Sequence, residues 1–320
     1  MEDYPRNLME LESRFSTNEA CRKYLAALRW PDGFVCPRCA HCGAWEKGTG
    51  FLECSTCHYQ VSVTAGTIFE RTRASLPVFF RAIGWVVAQK NGASALGLQR
   101  ILGLGTYKTA WTWLHKIRHA MITPGHAELG GEIEVDETYL GGLEEGVSGR
   151  QTFKKALIAV AAQVDGKRIG RIRMRRIPDV GAASLMDFVE ASIAPGSWVH
   201  TDGGSGYSGL AERGYDHKIT VIKGSGQHAH DLLPRVHLVV SLLKRWIQGT
   251  HQGAISPDHL DGYLDEFVFR FNHRASGSRG KLFYRLLQNA MRAEPAPYKK
   301  IIKKIRADPE IKSRRRINGS

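Results

Sequence analysis

Two C-x-x-C pairs, Cys36-Pro-Arg-Cys39 and Cys54-Ser-Thr-Cys57, stand fourteen residues apart near the start of this 320-residue chain. Two thiolates on one tight turn can take adjacent corners of a zinc tetrahedron, and a second pair on a facing hairpin closes it. The gap is just short of the ~15–20 residues usual in such ribbons, a difference that loops absorb. Cys42 complicates the reading, because Cys39-x-x-Cys42 is a knuckle too. The turn residues around Cys36 match the second knuckle better, so Zn²⁺ is assigned to Cys36, Cys39, Cys54 and Cys57, leaving Cys42 spare. Five of the six cysteines fall between Cys36 and Cys57, a poor distribution for stapling a long chain. The opening Met1-Glu-Asp-Tyr-Pro-Arg6 has neither a basic nor an apolar leader region, so a cytoplasmic chain with metal-bound thiolates is expected rather than disulfides. Cys21 reads as core.

The flanks of the cluster have local signals of their own. Ser16-Thr-Asn-Glu19 fits a capping box that opens a helix to about Arg29, ended by Trp30-Pro-Asp-Gly33. Phe51–Glu53 and Gln60–Val63 are strand-like, and residues 76 to 121 are helical with breaks at Asn91-Gly92 and Gly103-Leu-Gly105. The last break gives the spacing of a helix-turn-helix. On its second helix Ala110, Leu114, Ile117 and Met121 form a core stripe, while Lys108, His115, Lys116, Arg118 and His119 lie off it. A recognition helix would turn that second face to a DNA groove, with Tyr107 and Lys108 nearest the bases and Lys116 further along. A solvated surface helix has the same decoration.

Basic residues outnumber acidic ones 45 to 31, a net charge of +14 that points to nucleic acid. Half of the excess lies between Lys299 and Arg316, where nine basic residues face only Asp308 and Glu310. Such a tail is either a solvated end or a grip on phosphates without sequence preference. Hydrophobic residues at 42% and charged ones at 24% exclude global disorder. The longest apolar run, Ala156–Ala162, is far short of the ~18 residues of a membrane helix.

Beyond Gly130-Gly131 the texture becomes α/β: strands over Glu132–Leu140, Ala156–Val164 and Arg171–Ile177, a helix over Ala182–Ile193, and a strand at Ser197–His200. Two helical stretches follow, at 234–248 and 256–272. In the first strand Glu132, Glu134 and Asp136 share one face, a row of acids that needs a cation to offset it, for which a divalent metal is the economical answer. Asp202 ends the later strand, where ligands of α/β sheets gather, and Gly203-Gly204 lets another backbone approach. Two strand-borne aspartates separated by strand, strand and helix match the metal site of a ribonuclease H-like nuclease. That chemistry holds two ions about 3.5–4 Å apart and needs a further ligand on a later helix. Between Arg213 and Pro257 there is no glutamate. His237 is the candidate, with Ser241 and Lys244 on the same helical face; Asp231 is its rival. A histidine satisfied by a backbone carbonyl is the plain alternative, and Glu137, across the strand from Asp136, reads as structural.

The chain resembles the bacterial DDE-type insertion-sequence transposases that carry an N-terminal zinc ribbon, the IS1595 group. The likeness spans roughly residues 8 to 285 and rests on Leu28-Arg-Trp-Pro-Asp-Gly-Phe, Gln60-Val-Ser-Val-Thr-Ala-Gly-Thr-Ile-Phe-Glu, Tyr107-Lys-Thr-Ala-Trp and Val135-Asp-Glu-Thr-Tyr-Leu-Gly-Gly. Leu243-Lys-Arg-Trp, Gly249-Thr-His and Glu266-Phe-Val-Phe-Arg-Phe-Asn complete it. The resemblance implies catalytic aspartates at Asp136 and Asp202, a third position at His237 in place of glutamate, and Lys244 as the adjacent family lysine. Imidazole suits Mn²⁺ better than Mg²⁺, so either ion is expected.

The resulting expectation has five parts: an N-terminal helix (1–33), a zinc ribbon (34–66), a helix-turn-helix region (67–125), a ribonuclease H-like α/β domain (130–290) and a basic tail (291–320). The function expected is transposition of an insertion sequence. The chain would bind double-stranded DNA at terminal inverted repeats, cleave with a divalent metal and transfer the strand to target DNA, as a homodimer or larger assembly with no membrane contact. An inactive DNA-binding regulator and a nuclease without strand joining are the alternatives.

Overall fold

The computed structural model describes residues 2–48, 50–72, 74–122, 127–141, 155–220, 232–253 and 255–303. They fall into two units: Met1–Pro124 together with Ala275–Ser320, and Gly125–Arg274.

The first unit opens with helices α1 (Leu8–Arg14) and α2 (Asn18–Arg29). The cap of α2 is Thr17 rather than the expected Ser16: its hydroxyl accepts from the Ala20 amide at 3.1 Å. The side chain of Asn18 then accepts from the Leu76 amide at 2.8 Å, tying α2 to the start of α3 (Leu76–Ala88). Strands β1 (Ala44–Lys47), β2 (Phe51–Cys54) and β3 (Gln60–Ser62) make an antiparallel sheet in that order. Helices α4 (Ala95–Leu102) and α5 (Tyr107–Met121) follow, turned by Gly103 at φ +61. Helix α9 (Arg279–Arg292) packs on α2, α3 and α5. Its Phe283 meets Phe80 at 5.7 Å, and Phe80 meets Phe15 at 4.9 Å, so three distant segments share one aromatic core. Residues 275–290, assigned above to the α/β domain, therefore belong to the first unit. The apolar face of α9 is filled there, and an amphipathic pattern alone does not say which core it enters. Gly280 is required by the approach of the Pro5 carbonyl, into which an added Cβ would run.

The second unit is a five-stranded sheet in the order β6-β5-β4-β7-β8. β4 (Glu132–Leu140), β5 (Ala156–Asp165) and β6 (Arg168–Ile177) are antiparallel neighbours. β7 (Trp198–Thr201) runs parallel to β4, and β8 (Asp216–Ile219) parallel to β7. Helix α6 (Ala182–Ser192) covers one face over Ile133, Val135, Ala159 and Ala161. Helices α7 (Pro234–His251) and α8 (Leu260–Asn272) cover the other over Ile158, Val160, Ala162 and Ile172. The apolar run of β5 is explained by burial on both faces. The short polar β8 escaped the sequence reading because a solvated edge strand needs no apolar alternation.

Candidate active site and metal centre

The four thiolates are brought together as expected. Cys36 Sγ lies 3.6 Å from Cys57 Sγ, Cys39 Sγ lies 3.6 Å from Cys54 Sγ, and all four sulfurs fall within 4.8 Å of one another. A zinc tetrahedron with bonds of about 2.3 Å puts its sulfurs ~3.8 Å apart, so the set fits zinc. The two knuckles repeat one backbone pattern. The Cys36 amide donates to the His41 carbonyl and the Cys54 amide to the Tyr59 carbonyl, and the residue after each second cysteine is left-handed (Ala40 at φ 59, His58 at φ 55). That repetition decides the choice between Cys36 and Cys42: Cys42 is exposed, with its thiol 3.9 Å from the Ala40 carbonyl. Amide N–H groups of Cys57 and Thr56 lower the Cys54 thiol and so favour the thiolate that metal binding needs. Cys21, fully buried on α2, has its thiol pushed up to about 12 by desolvation and is core.

The acids of β4 divide three ways. Glu132 is exposed at the start of the strand. Glu134, 2% exposed, pairs with Arg235 at 3.2 Å and accepts from the amides of Arg235 (2.7 Å) and Val236 (2.9 Å) at the start of α7. Its charge is offset by a guanidinium and a helix N-terminus, which corrects the reading of one metal for the whole row. Asp136, next on the same face, has its Oδ2 3.8 Å from His237 Nε2 on α7.

Asp202 follows β7 directly. The parallel ladder between β4 and β7 ends at the Glu134–His200 pair; Asp202 stands two residues beyond it, just past the carboxyl end of β7, while Asp136 stands two residues beyond Glu134 in the middle of β4. Asp202 Oδ1 accepts from the Gly204 amide at 2.9 Å, so the glycine pair shapes this carboxylate's own turn. Below the strand ends, the buried Tyr207 donates to Glu137 Oε2 at 3.0 Å. Its ionisation is driven up by burial first, then by Glu137, Asp136 and Asp202, so all three carboxylates act on one hydroxyl. Neither Tyr207 nor Arg235 was singled out in the sequence; neither lies in a motif with a spacing rule. Among the described residues the thiolates are the one group of ligand atoms that already converges tightly; the Asp136, Asp202 and His237 set is more open. On α7, Ser241 and Lys244 are exposed while Val236, Val239, Val240, Leu243 and Ile247 are buried, which leaves His237, Ser241 and Lys244 off the core face. Asp231 lies outside the described residues.

Helix α5 corrects the expected DNA face. Ala110, Leu114, Ile117 and Met121 are its core stripe as read, and Tyr107 and Lys108 are exposed. Lys116, however, is only 6% exposed and donates to the Glu70 carbonyl (3.1 Å) and the Thr72 hydroxyl (3.3 Å); His115 and Arg118 are buried beside it. Burial lowers the Lys116 pKa. A lysine with its ammonium tied inside the unit is a strut, not a groove contact. The expected tail (291–320) opens with the last residues of α9 and continues into helix α10 (Tyr298–Lys303), whose Tyr298 ring lies 4.1 Å from Lys108 Nζ and 6.3 Å from Trp111. The remaining tail lysines and arginines, from 304 onward, lie outside the described residues. No described helix is long and apolar enough to cross a membrane.

Two family domains match the chain: a transposase zinc-ribbon domain over residues 16–60 and an ISXO2-like transposase domain over residues 128–272. A curated relative, an uncharacterized protein in transposable element ISH50 of Halobacterium salinarum, is 26% identical over 285 residues, covering 80% of this chain and 91% of the relative.

Proposed function

This chain belongs to the IS1595-type transposases, and from that premise we propose that it cuts and joins DNA at the ends of an insertion sequence. The observation that carries the reading is the meeting of β4 and α7, where Asp136 faces His237 at 3.8 Å beside the strand end that bears Asp202. The sheet order supports a ribonuclease H-like core. Two carboxylates suit Mg²⁺ or Mn²⁺ and the imidazole nitrogen favours Mn²⁺ of the two, the ion being held by Asp136, Asp202 and His237. Such ions, when bound, supply charge stabilisation at phosphorus and lower the pKa of a coordinated water.

The chain's own groups then have distinct tasks. Asp136, in the middle of β4, and Asp202, just past the end of β7, supply the carboxylates, and the Tyr207–Glu137 hydrogen bond stiffens the structure around them. Lys244, two turns along α7 from His237, receives a phosphate flanking the scissile bond. In the first step a water oxygen forms a bond to phosphorus and the P–O bond to the 3′-oxygen breaks, releasing a 3′-hydroxyl. In the second that hydroxyl attacks a target phosphate and displaces the target's own 3′-oxygen. Bonds broken and formed are equivalent, so strand joining needs no nucleotide cofactor. No protein side chain is esterified in either step. Tyr107 and Lys108, with the ribbon, are the DNA contacts of the first unit, and two ends handled together call for a dimer or larger assembly.

A strand-transfer assay with labelled element ends, run in Mg²⁺ and in Mn²⁺, tests this. Cutting and joining by the wild type, lost in Asp136→Ala, Asp202→Ala and His237→Ala, is the expected result. Loss for the aspartates alone removes His237 from the site. Cutting without joining indicates a nuclease, and no cutting in either metal a DNA-binding regulator.

A further inference from the structure

Resting on that active site, we propose that Glu134 is a positioning residue: it clamps the first turn of α7 to β4 and so fixes the His237 imidazole at Asp136. Helix α7 begins without a cap of its own. Leu233, at its N-cap, has an apolar side chain that is fully buried, and Pro234 has no N–H. The first amides that an N-cap side chain would ordinarily take are those of Arg235 and Val236. Glu134 Oε2 accepts both, at 2.7 and 2.9 Å, from about a hundred residues earlier in the chain. Its other oxygen pairs with the Arg235 guanidinium at 3.2 Å, and that guanidinium also donates to the Gly166 carbonyl at 2.8 Å, in the β5–β6 turn.

A local Ser or Asp would cap the helix with far less desolvation than a carboxylate that is 2% exposed. What a cap on β4 adds is register. Glu134 and Asp136 share one strand face about 7 Å apart, and they meet consecutive stretches of α7: amides 235 and 236, then the side chain of 237. Each residue of helix turns about 100°, so a slip of one position would carry His237 away from Asp136. Two contacts between one strand and one helix turn prevent that slip.

Glu134→Gln keeps the shape, removes the charge and turns an N–H₂ toward donors. In full-length chain with ¹⁵N-labelled histidine, Mn²⁺ should broaden the His237 ring signal of the wild type but much less that of the variant, and Mn²⁺ affinity outside the zinc site should fall roughly 10–100-fold. Cleavage of element ends should fall by a similar factor. In a His237→Ala background, where Asp136 and Asp202 remain, the same substitution should change Mn²⁺ affinity by less than about twofold, because the positioned group is gone. Unchanged Mn²⁺ affinity, or an affinity loss that multiplies in full with that of His237→Ala, would overturn the clamp. Should Glu134→Gln fail to fold, Arg235→Ala leaves the amide contacts and is held to the same non-additivity with His237→Ala. Wild-type cutting by both Asp136→Ala and His237→Ala overturns the active site itself, and the clamp with it; their inactivity alongside an additive Glu134→Gln overturns the clamp alone.

Discussion

The thiolate cluster and the carboxylate site gather their ligands in opposite ways. All four sulfurs lie within twenty-two residues of chain, on two knuckles that repeat the same backbone turn. The proposed carboxylate site draws Asp136 from β4, Asp202 from the turn after β7 and His237 from α7, spread over a hundred residues, and its helix is tied to Glu134 on the same strand as Asp136. The first is built by local backbone geometry and closes on itself; the second exists only once a sheet has formed and α7 has docked on it. Short-range sites are therefore legible as spacing, and long-range sites only as candidates.

The strongest way to break that contrast is to take each site apart. A peptide spanning residues 34–66 should fold on Zn²⁺ with a binding free energy on the order of 10 kcal/mol, followed by circular dichroism and cobalt-substituted absorbance. If it binds zinc no better than a scrambled peptide, the ribbon is not self-sufficient. Its affinity should weaken steadily as pH falls, because only thiolates are ligands and protons compete with zinc for all four sulfurs.

Next in size is Asp136→Asn, which should cost cleavage about 10³-fold, roughly 4 kcal/mol of transition-state stabilisation, with zinc content unchanged by elemental analysis. Loss of zinc in that variant would show that the two sites are not separate. A smaller effect tests the correction on α5. Lys116→Ala should destabilise the first unit by about 1–3 kcal/mol, because two part-buried acceptors lose their donor and a buried side chain is truncated. Lys116→Met should remove a pH dependence as well. Burial lowers the folded-state pKa of Lys116 below its unfolded value, so the unfolded chain binds the extra proton and wild-type stability rises with pH between those two values. Denaturant melts across that interval check the slope; an unchanged slope in Lys116→Met removes the buried ammonium as its source. The smallest effect is for Cys42→Ser, which should leave one zinc per chain and an unaltered melt.

Much of the fold was written in local pattern. Strand β4 matched its sequence boundaries residue for residue, and β5, β6, α6 and β7 were placed to within a few residues, because burial on one or both faces leaves a clear period. The capping residue of α2 shifted by one position, since Ser16 and Thr17 offer the same hydroxyl and only the backbone decides which accepts. Of the basic residues on α5, Lys116 was misread because a lysine beside a core stripe looks the same whether its ammonium reaches water or a loop carbonyl.

Sequence by itself determined that two cysteine knuckles form a ribbon, the acids of β4 and the helix that bears His237, because knuckle spacing and apolar periodicity are properties of neighbouring residues. Tertiary structure decided what periodicity does not encode: that Cys42 stands outside the cluster, that α9 returns to the first unit, and that Glu134 answers a helix N-terminus while Asp136 answers a histidine. Two acids two positions apart on one strand have the same local pattern. Only the element that packs over each gives it a partner, and the partner fixes its chemistry.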